Sequence, residues 1–252
     1  MLNNKISFDI ILFMSNIILV DEKIDRIYSS YLESLNYKIV KIIRNEAVYD
    51  EISSHTDIFC LKIKNNLIVE SNIYEYLNQK SVPSLIKGSS TLDSKYPQDI
   101  KYNLCVIGNY AVHNFNYTDE VVLQYISKYG LKKVHVNQGY TNCSIAVIDE
   151  KSCITSNIEI YEKLSKVGLD VLLISEESEK NIKLIAGNGK FSKMHGFIGG
   201  ALCKLNNKCI LFGDKTYLKE YQKIEDFIIK KGYQFVDFKN KEIIDYGGII
   251  EV

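Results

Sequence analysis

Apolar and polar positions fall in blocks that recur along the chain. "GYTNCSIAVIDEKSCITSN" (139–157) lies over "GFIGGALCKLNNKCILFGD" (196–214) without a gap. Each block reads glycine and an aromatic or near it, a short apolar run, a polar turn, a second apolar run, then Asn or Asp. The turns are Asp149-Glu150-Lys151 and Asn206-Asn207-Lys208. Short apolar runs bounded by turn residues predict strands. The segments that follow, "IEIYEKLSKVG" and "TYLKEYQKIEDFIIKKG", space their apolar residues at helical intervals and close on glycine, which predicts helices with left-handed C-caps. A third strand comes next in each, "LDVLLIS" and "YQFVDF".

The same order of blocks appears at 55–88, at 102–136, where Gly108-Asn109 is a two-residue hairpin signal, and at 8–42. The chain thus predicts five strand–strand–helix–strand repeats: 8–42, 55–88, 102–136, 139–175 and 196–238. The second strand of each ends at Asp or Asn: Asp21, Asn72, Asn114, Asn157, Asp214. Those residue types suit helix N-caps, where the side chain accepts an orphan N–H. One such unit cannot bury both faces of its sheet, so the five share a core in a single α/β domain over 1–252. The stretch 241–252, "KEIIDYGGIIEV", is an extra strand able to pair with the first unit and close a ring.

Charge and composition narrow the function classes. Acidic and basic residues balance at 31 each, and Arg26 and Arg44 are the only arginines, so no basic footprint for a nucleic acid is present. The apolar N-terminal stretch "ISFDIILFMSNIILV" is interrupted by Asp9 and Asn16. It is too short to span a bilayer and lacks the flanks of a signal peptide; it reads as two buried strands around a Met-Ser-Asn turn, with no membrane partner. The cysteines, Cys60, Cys105, Cys143, Cys153, Cys203 and Cys209, form no C-x-x-C pair. This pattern argues against a metal site or a disulfide framework and for reduced thiols in a cytoplasmic setting. "GNGK" (187–190) is half of a phosphate loop only.

Five ββαβ units closing a ring resemble the pentein fold, the five-bladed β/α propeller of the guanidino-group-modifying enzymes, and the resemblance covers nearly the whole chain. "NQGYTNCSI", "HGFIGGA" and "DYGGII" further resemble an uncharacterised bacterial family assigned to that fold. The resemblance implies five repeats around a pseudo-fivefold axis, short strands inside and helices outside. It also implies a channel where the first strand of each unit begins, near His55 to Asp57, Asn103, Gln138 to Cys143, His195 to Gly200, and Asp245 to Gly248. Active members use a Cys nucleophile after a Gly-rich turn, a His-x-Asp or His-x-Glu pair, and carboxylates that grip a guanidinium. Carried over, "GYTNC" gives Cys143 as nucleophile, and "HTD" gives His55 and Asp57. His195, Gln138, Asn142 and Asp245 become substrate-binding positions. This chemistry requires no metal or organic cofactor. The pattern departs in one respect: the family's own cysteine position, on the closing strand, is here "DYGGII", without a cysteine.

Each candidate has two readings from the residues alone. Cys143 is either a nucleophile, expected to be partly exposed with a lowered pKa, or a small hydrophobe at the head of a buried strand. His55 is either a general acid–base oriented by Asp57 on the same strand face or part of a solvated turn. His195 faces the channel or lies in a free loop; His113 and His135 read as structural. Asp9 and Asp245, at the first unit's entrance and on the closing strand, suit paired hydrogen bonds to a guanidinium. Two functions follow. One is a Cys-dependent hydrolase or transferase acting on a small cationic guanidino or amidino compound. The other is a non-catalytic pentein module that binds a ligand, a ribosome or a protein partner.

Overall fold

The computed structural model describes residues 16–185 and 194–252. They form five three-stranded sheets and one two-stranded pair. In units 2 to 5 an antiparallel hairpin leads to a helix and then to a third strand parallel to the second. Unit 2 is Cys60–Ile63, Asn66–Val69, helix Tyr74–Gln79 and Leu85–Lys87. Unit 3 is Cys105–Ile107, Tyr110–His113, helix Glu120–Lys128 and Lys132–His135. Unit 4 is Ala146–Asp149, Ser152–Thr155, helix Ile158–Lys166 and Asp170–Leu173. Unit 5 is Leu202–Leu205, Lys208–Leu211, helix Tyr221–Lys230 and Gln234–Val236.

Unit 1 is assembled from both ends of the described chain. Ile17–Asp21, helix Arg26–Ser34 and Lys38–Ile42 are its second strand, helix and third strand. The antiparallel place beside Ile17–Asp21 is filled by Ile250–Glu251, with Ile18 opposite Glu251 and Leu19 opposite Ile250. The strand expected at the start of 8–42, and Asp9 with it, lie outside the described residues. The remaining pair, Ile182–Leu184 with Ile243–Asp245, runs parallel and leads into the "DYGGII" stretch.

The second strand of each unit is central in its sheet and buried on both faces, which accounts for its continuous apolar run. Helices of units 1, 3, 4 and 5 each bury one i,i+4 pair: Tyr28 and Leu32, Val122 and Ile126, Ile160 and Leu164, Ile224 and Ile228. Fully burying one such aliphatic side chain contributes roughly 1.5–3 kcal/mol. The helices end on left-handed residues, Gly130, Gly168 and Gly232, with Asn36 in that place in unit 1.

The acidic and amide positions that end the second strands divide by role. Asn157 caps its helix by accepting from the Ile160 amide, and Asp214 caps a one-turn 3-10 helix by accepting from Thr216. Asp21 and Asn114 instead accept from the amide two residues on, Lys23 and Asn116, while Asp25 and Asp119 cap the helices. At Asn72 the side chain is not used: the amides of Asn72 and Ile73 donate to Glu70.

Neighbouring units share their cores. One apolar cluster joins strands of units 1, 2 and 3, another units 3 and 4, another units 4 and 5. A fourth joins Ile18 and Val20 of unit 1 to Leu205, Ile210 and Phe212 of unit 5.

Candidate active site

Three first strands are preceded by a single helical turn: Thr56–Phe59, Thr141–Ser144 and Ile198–Ala201. Each turn is reached from a non-helical residue, extended at His55 and Phe197 but not at Tyr140, and runs straight into a strand. This corrects two expectations. Cys143 sits in the turn, ahead of the strand, and His55 and Asp57 do not share a strand face, because the chain coils between them.

Turns from all five units meet one another. Thr56 Oγ1 donates to the Gly247 carbonyl at 2.6 Å, and the Asp57 amide donates to the same oxygen at 3.2 Å. Asn103 Nδ2 donates to the Asp57 carbonyl at 3.1 Å, and Asn103 Oδ1 accepts from the Asn142 amide at 2.9 Å. Gly199 lies so close to unit 4 that a Cβ there would be 2.4 to 2.6 Å from the carbonyl oxygens of Asn142, Cys143 and Ile145. The Gly248 amide donates to the Gly200 carbonyl at 3.0 Å. Unit 1 thus meets unit 2, 2 meets 3, 3 meets 4, 4 meets 5, and 5 meets 1.

At this junction Cys143 is held by two polar contacts. Its thiol donates to Asp57 Oδ2 at 2.8 Å, and Asn103 Nδ2 donates to Cys143 Sγ at 3.2 Å. Burial pushes the thiol well above its ordinary pKa, and Asp57 and Asp245 add to the effect. Asp57 is also raised well above the carboxylate range, by burial and then by Asp245. The thiol is therefore neutral, and its exposure is 3%, which corrects the expectation of a partly exposed, acidified cysteine. A thiolate here would lack solvent and face carboxyl groups.

His55 is fully buried between two carboxyls, with Nε2 3.9 Å from Asp21 Oδ2 and Nδ1 4.0 Å from Asp245 Oδ1. Both distances exceed hydrogen-bonding range, and neither ring nitrogen has a partner. Burial, followed by the charge of Lys23, lowers His55 to about 3, so the ring is a neutral base at physiological pH. Asp245 accepts from the amides of Phe197 and Gly247, each at 2.8 Å. Burial raises it to about 7 against those bonds, and raises Asp21 to about 6. Gly200 leaves room for the Asp245 carboxyl: a Cβ there would fall 1.8 Å from Oδ1.

Cys143, His55, His195 and Asp245 line one cavity of about 290 Å³. Its walls are aromatic and aliphatic: Tyr49, Tyr96, Tyr140 and Phe197, with Ile52, Leu184 and Met194. Glu51 also lines it; sequence reasoning missed this residue, because an acid in "YDEISSHTD" reads as a solvated turn. His195 spans this cavity and a neighbouring cleft lined by Gln138, Ser144, Glu176 and Glu179. Gln138 belongs to that cleft, and its Oε1 caps the Tyr140 amide at 3.0 Å. Asn142 lines a separate cavity among the first strands, with Leu61, Val106, Ile148 and Ile250. Gln138 and Asn142 are thus parted from Cys143's cavity, which corrects their grouping with the other channel positions.

His113 is fixed inside the fold, by Thr118 Oγ1 at 2.7 Å and the Gly139 carbonyl at 3.1 Å. His135 Nδ1 accepts from the Phe115 amide. Among the described residues no group of three or more His, Cys, Asp or Glu is arranged to hold a metal ion, and no helix is long and apolar enough to cross a membrane.

The fold and this junction place the chain with the guanidino-group-modifying, or pentein, architecture. Dimethylarginine dimethylaminohydrolase from Pseudomonas aeruginosa, solved with citrulline, superposes with a TM-score of 0.56 at 12% identity, over 95% of this chain and 100% of that one. Agmatine deiminase from C. jejuni gives 0.50 at 11% identity, over 88% and 87%. An amidinotransferase from Microseira wollei, of the saxitoxin biosynthetic pathway, gives 0.50 at 10%, over 87% and 78%. At such identities the likeness is one of fold. The chain itself belongs to the family of unknown function DUF6873, whose pattern it matches over residues 19–250. No curated protein matches it.

Proposed function

We propose that the five units close into a five-bladed β/α propeller forming one domain, and that its central junction is the active site of a Cys-dependent hydrolase or transferase acting on a small guanidino or amidino cation. The closed run of contacts between turns, and the apolar core shared by units 5 and 1, support the ring. One observation carries the activity: the Cys143 thiol, the neutral His55 ring and the Asp245 carboxyl line the same cavity, with Asp57 hydrogen-bonded to the thiol.

A cation entering the cavity supplies the positive charge that the carboxyls and the thiol need in order to ionise. Beside Asp57 and Asp245 it favours their ionised forms, and its charge favours the thiolate. The thiol proton passes to His55, directly or by way of Asp57, and Sγ bonds to the amidino carbon while the C=N electron pair moves onto nitrogen. His55 delivers a proton to the departing amine, the C–N bond breaks, and an amidino thioether on Cys143 remains. Water then adds to that carbon in a hydrolase, or an acceptor amine in a transferase, and the thiol is regenerated. His195, at the border of the cavity, is positioned to touch the substrate.

A haloacetamidine tests this reading. It should alkylate Cys143 in the folded protein near neutral pH, and the neutral haloacetamide should not; peptide mapping identifies the thiol. The buried thiol favours a second reading, a non-catalytic pentein module that binds a ligand or a protein partner. Equal reactivity of Cys143 and Cys60 toward the cationic reagent would select it.

A further inference from the structure

Glu51 stands in the short 3-10 turn Asp50–Ile52 and is 1% exposed. Neither of its carboxyl oxygens has a hydrogen-bond partner. A buried carboxylate without a partner is costly, and the nearby cations do not relieve it. Lys23 and Arg44 both pair with Asp50, at 3.6 and 3.4 Å, and Lys23 also donates to the Asp50 carbonyl. Glu51 lines the cavity that Cys143 and Asp245 line, and among the described residues that cavity has no lysine or arginine. Among the described residues a substrate carboxylate would find no cation there, and would meet Glu51. A row of rings flanks the space, with Tyr96 and Tyr140 centred 6.1 Å apart and Tyr140 and Phe197 6.4 Å apart. Tyr140 uses its hydroxyl on Asp99, which leaves its ring for apolar contact. The volume, about 290 Å³, is at the small end of ligand sites.

We propose that the cavity selects a carboxylate-free aminoalkyl guanidine or amidine: the amidino head at Cys143 and Asp245, the alkyl chain along the aromatic row, and the far amino group on Glu51. Glu51 is then a specificity-determining residue that excludes α-amino acids. This rests on the amidine-binding reading above.

Three probes separate the possibilities in calorimetric titrations: agmatine, which has both cationic ends; arginine, which adds a carboxylate; and butylguanidine, which lacks the amine. The wild-type protein should bind agmatine about tenfold or more tighter than either of the others, the worth of one charge-assisted hydrogen bond. Glu51→Gln should bring agmatine down to the level of butylguanidine and leave butylguanidine unchanged. Binding of arginine as tight as that of agmatine would overturn the proposal on the wild-type protein alone, whether or not the variant folds. Equal weakening of agmatine and butylguanidine by Glu51→Gln would also overturn it. If butylguanidine and agmatine both fail to bind, the amidine-binding reading itself fails, and this inference with it.

Discussion

The tightest test of the central junction is Gly199→Ala. Gly199 is not in the left-handed region, so alanine meets no conformational penalty there and the whole effect is steric. The new Cβ would lie 2.4, 2.5 and 2.6 Å from the carbonyl oxygens of Asn142, Cys143 and Ile145. All three are backbone atoms of the turn that carries the candidate nucleophile or of the residue just after it, so no side chain can swing aside. Overpacking costs roughly 1–3 kcal/mol when neighbours can adjust; three simultaneous backbone clashes put this case at about 3 kcal/mol. For a chain of this length that is a fall of roughly 6–12 °C in melting temperature. Gly168→Ala is the control. It has φ +90 and nothing within 4 Å of the added Cβ, so its cost is conformational, roughly 1–2 kcal/mol. Thermal denaturation followed by circular dichroism compares the two, and haloacetamidine labelling reports on the site. Gly199→Ala should melt lower than Gly168→Ala, and Cys143 labelling should slow only in Gly199→Ala. If Gly199→Ala melts no lower than the control, the close approach of units 4 and 5 is wrong.

Three further outcomes are expected. Asp57→Asn removes a carboxyl that raises the Cys143 thiol, so a neutral alkylating reagent at pH 8 should label Cys143 several-fold faster than in wild type while turnover falls; slower or unchanged labelling would contradict the electrostatic account. His55 folds with its pKa lowered to about 3, so its contribution to stability is complete above about pH 6.5 and is lost as the pH falls toward 3. Asp245 and Asp21, raised to about 7 and about 6, contribute in the opposite sense, fully below about pH 4 and less as the pH rises through 6 and 7. His55→Gln leaves only the aspartate part, so between pH 4 and 7 its stability in urea should decline relative to wild type; parallel profiles would reject the assignment. Glu179 accepts from Ser156 Oγ and from the Ile198 amide, so Glu179→Ala should cost about 2 kcal/mol by leaving buried donors unpaired, and Glu179→Gln much less, by chemical denaturation.

The repeats were legible because the second strand of each unit is sandwiched on both sides, and a strand in that position writes itself as an unbroken apolar run. The polar turns and the glycines after the helices gave the spacing. Cys143, His55 and Asp245 were also legible, as polar or reactive residues near the starts of first strands or on the closing strand, and they line one cavity. The one-turn helices at 56–59, 141–144 and 198–201 were not, because four residues are too few to show a helical period. The missed turn at 56–59 moved Asp57 away from His55 and onto the Cys143 thiol. Glu51 and Glu179 left no trace in the pattern: in one sequence a buried acid looks like an acid in water.

The pairing of Ile250–Glu251 with Ile17–Asp21 has a consequence for the order of events in folding. Hairpins within units 2 to 5 join residues close in sequence and form early, but this pair brings together opposite ends of the described chain, which is entropically the slowest contact to make. The "DYGGII" stretch that leads into it carries Asp245 and the Gly247 carbonyl that anchors Thr56 and Asp57. The grouping of Asp57, Asp245 and Cys143 is therefore incomplete until that contact is made. A partly folded chain would present Cys143 without Asp57, Asp245 and His55 around it, so the cavity that gathers these groups exists only once the two ends of the described chain have met.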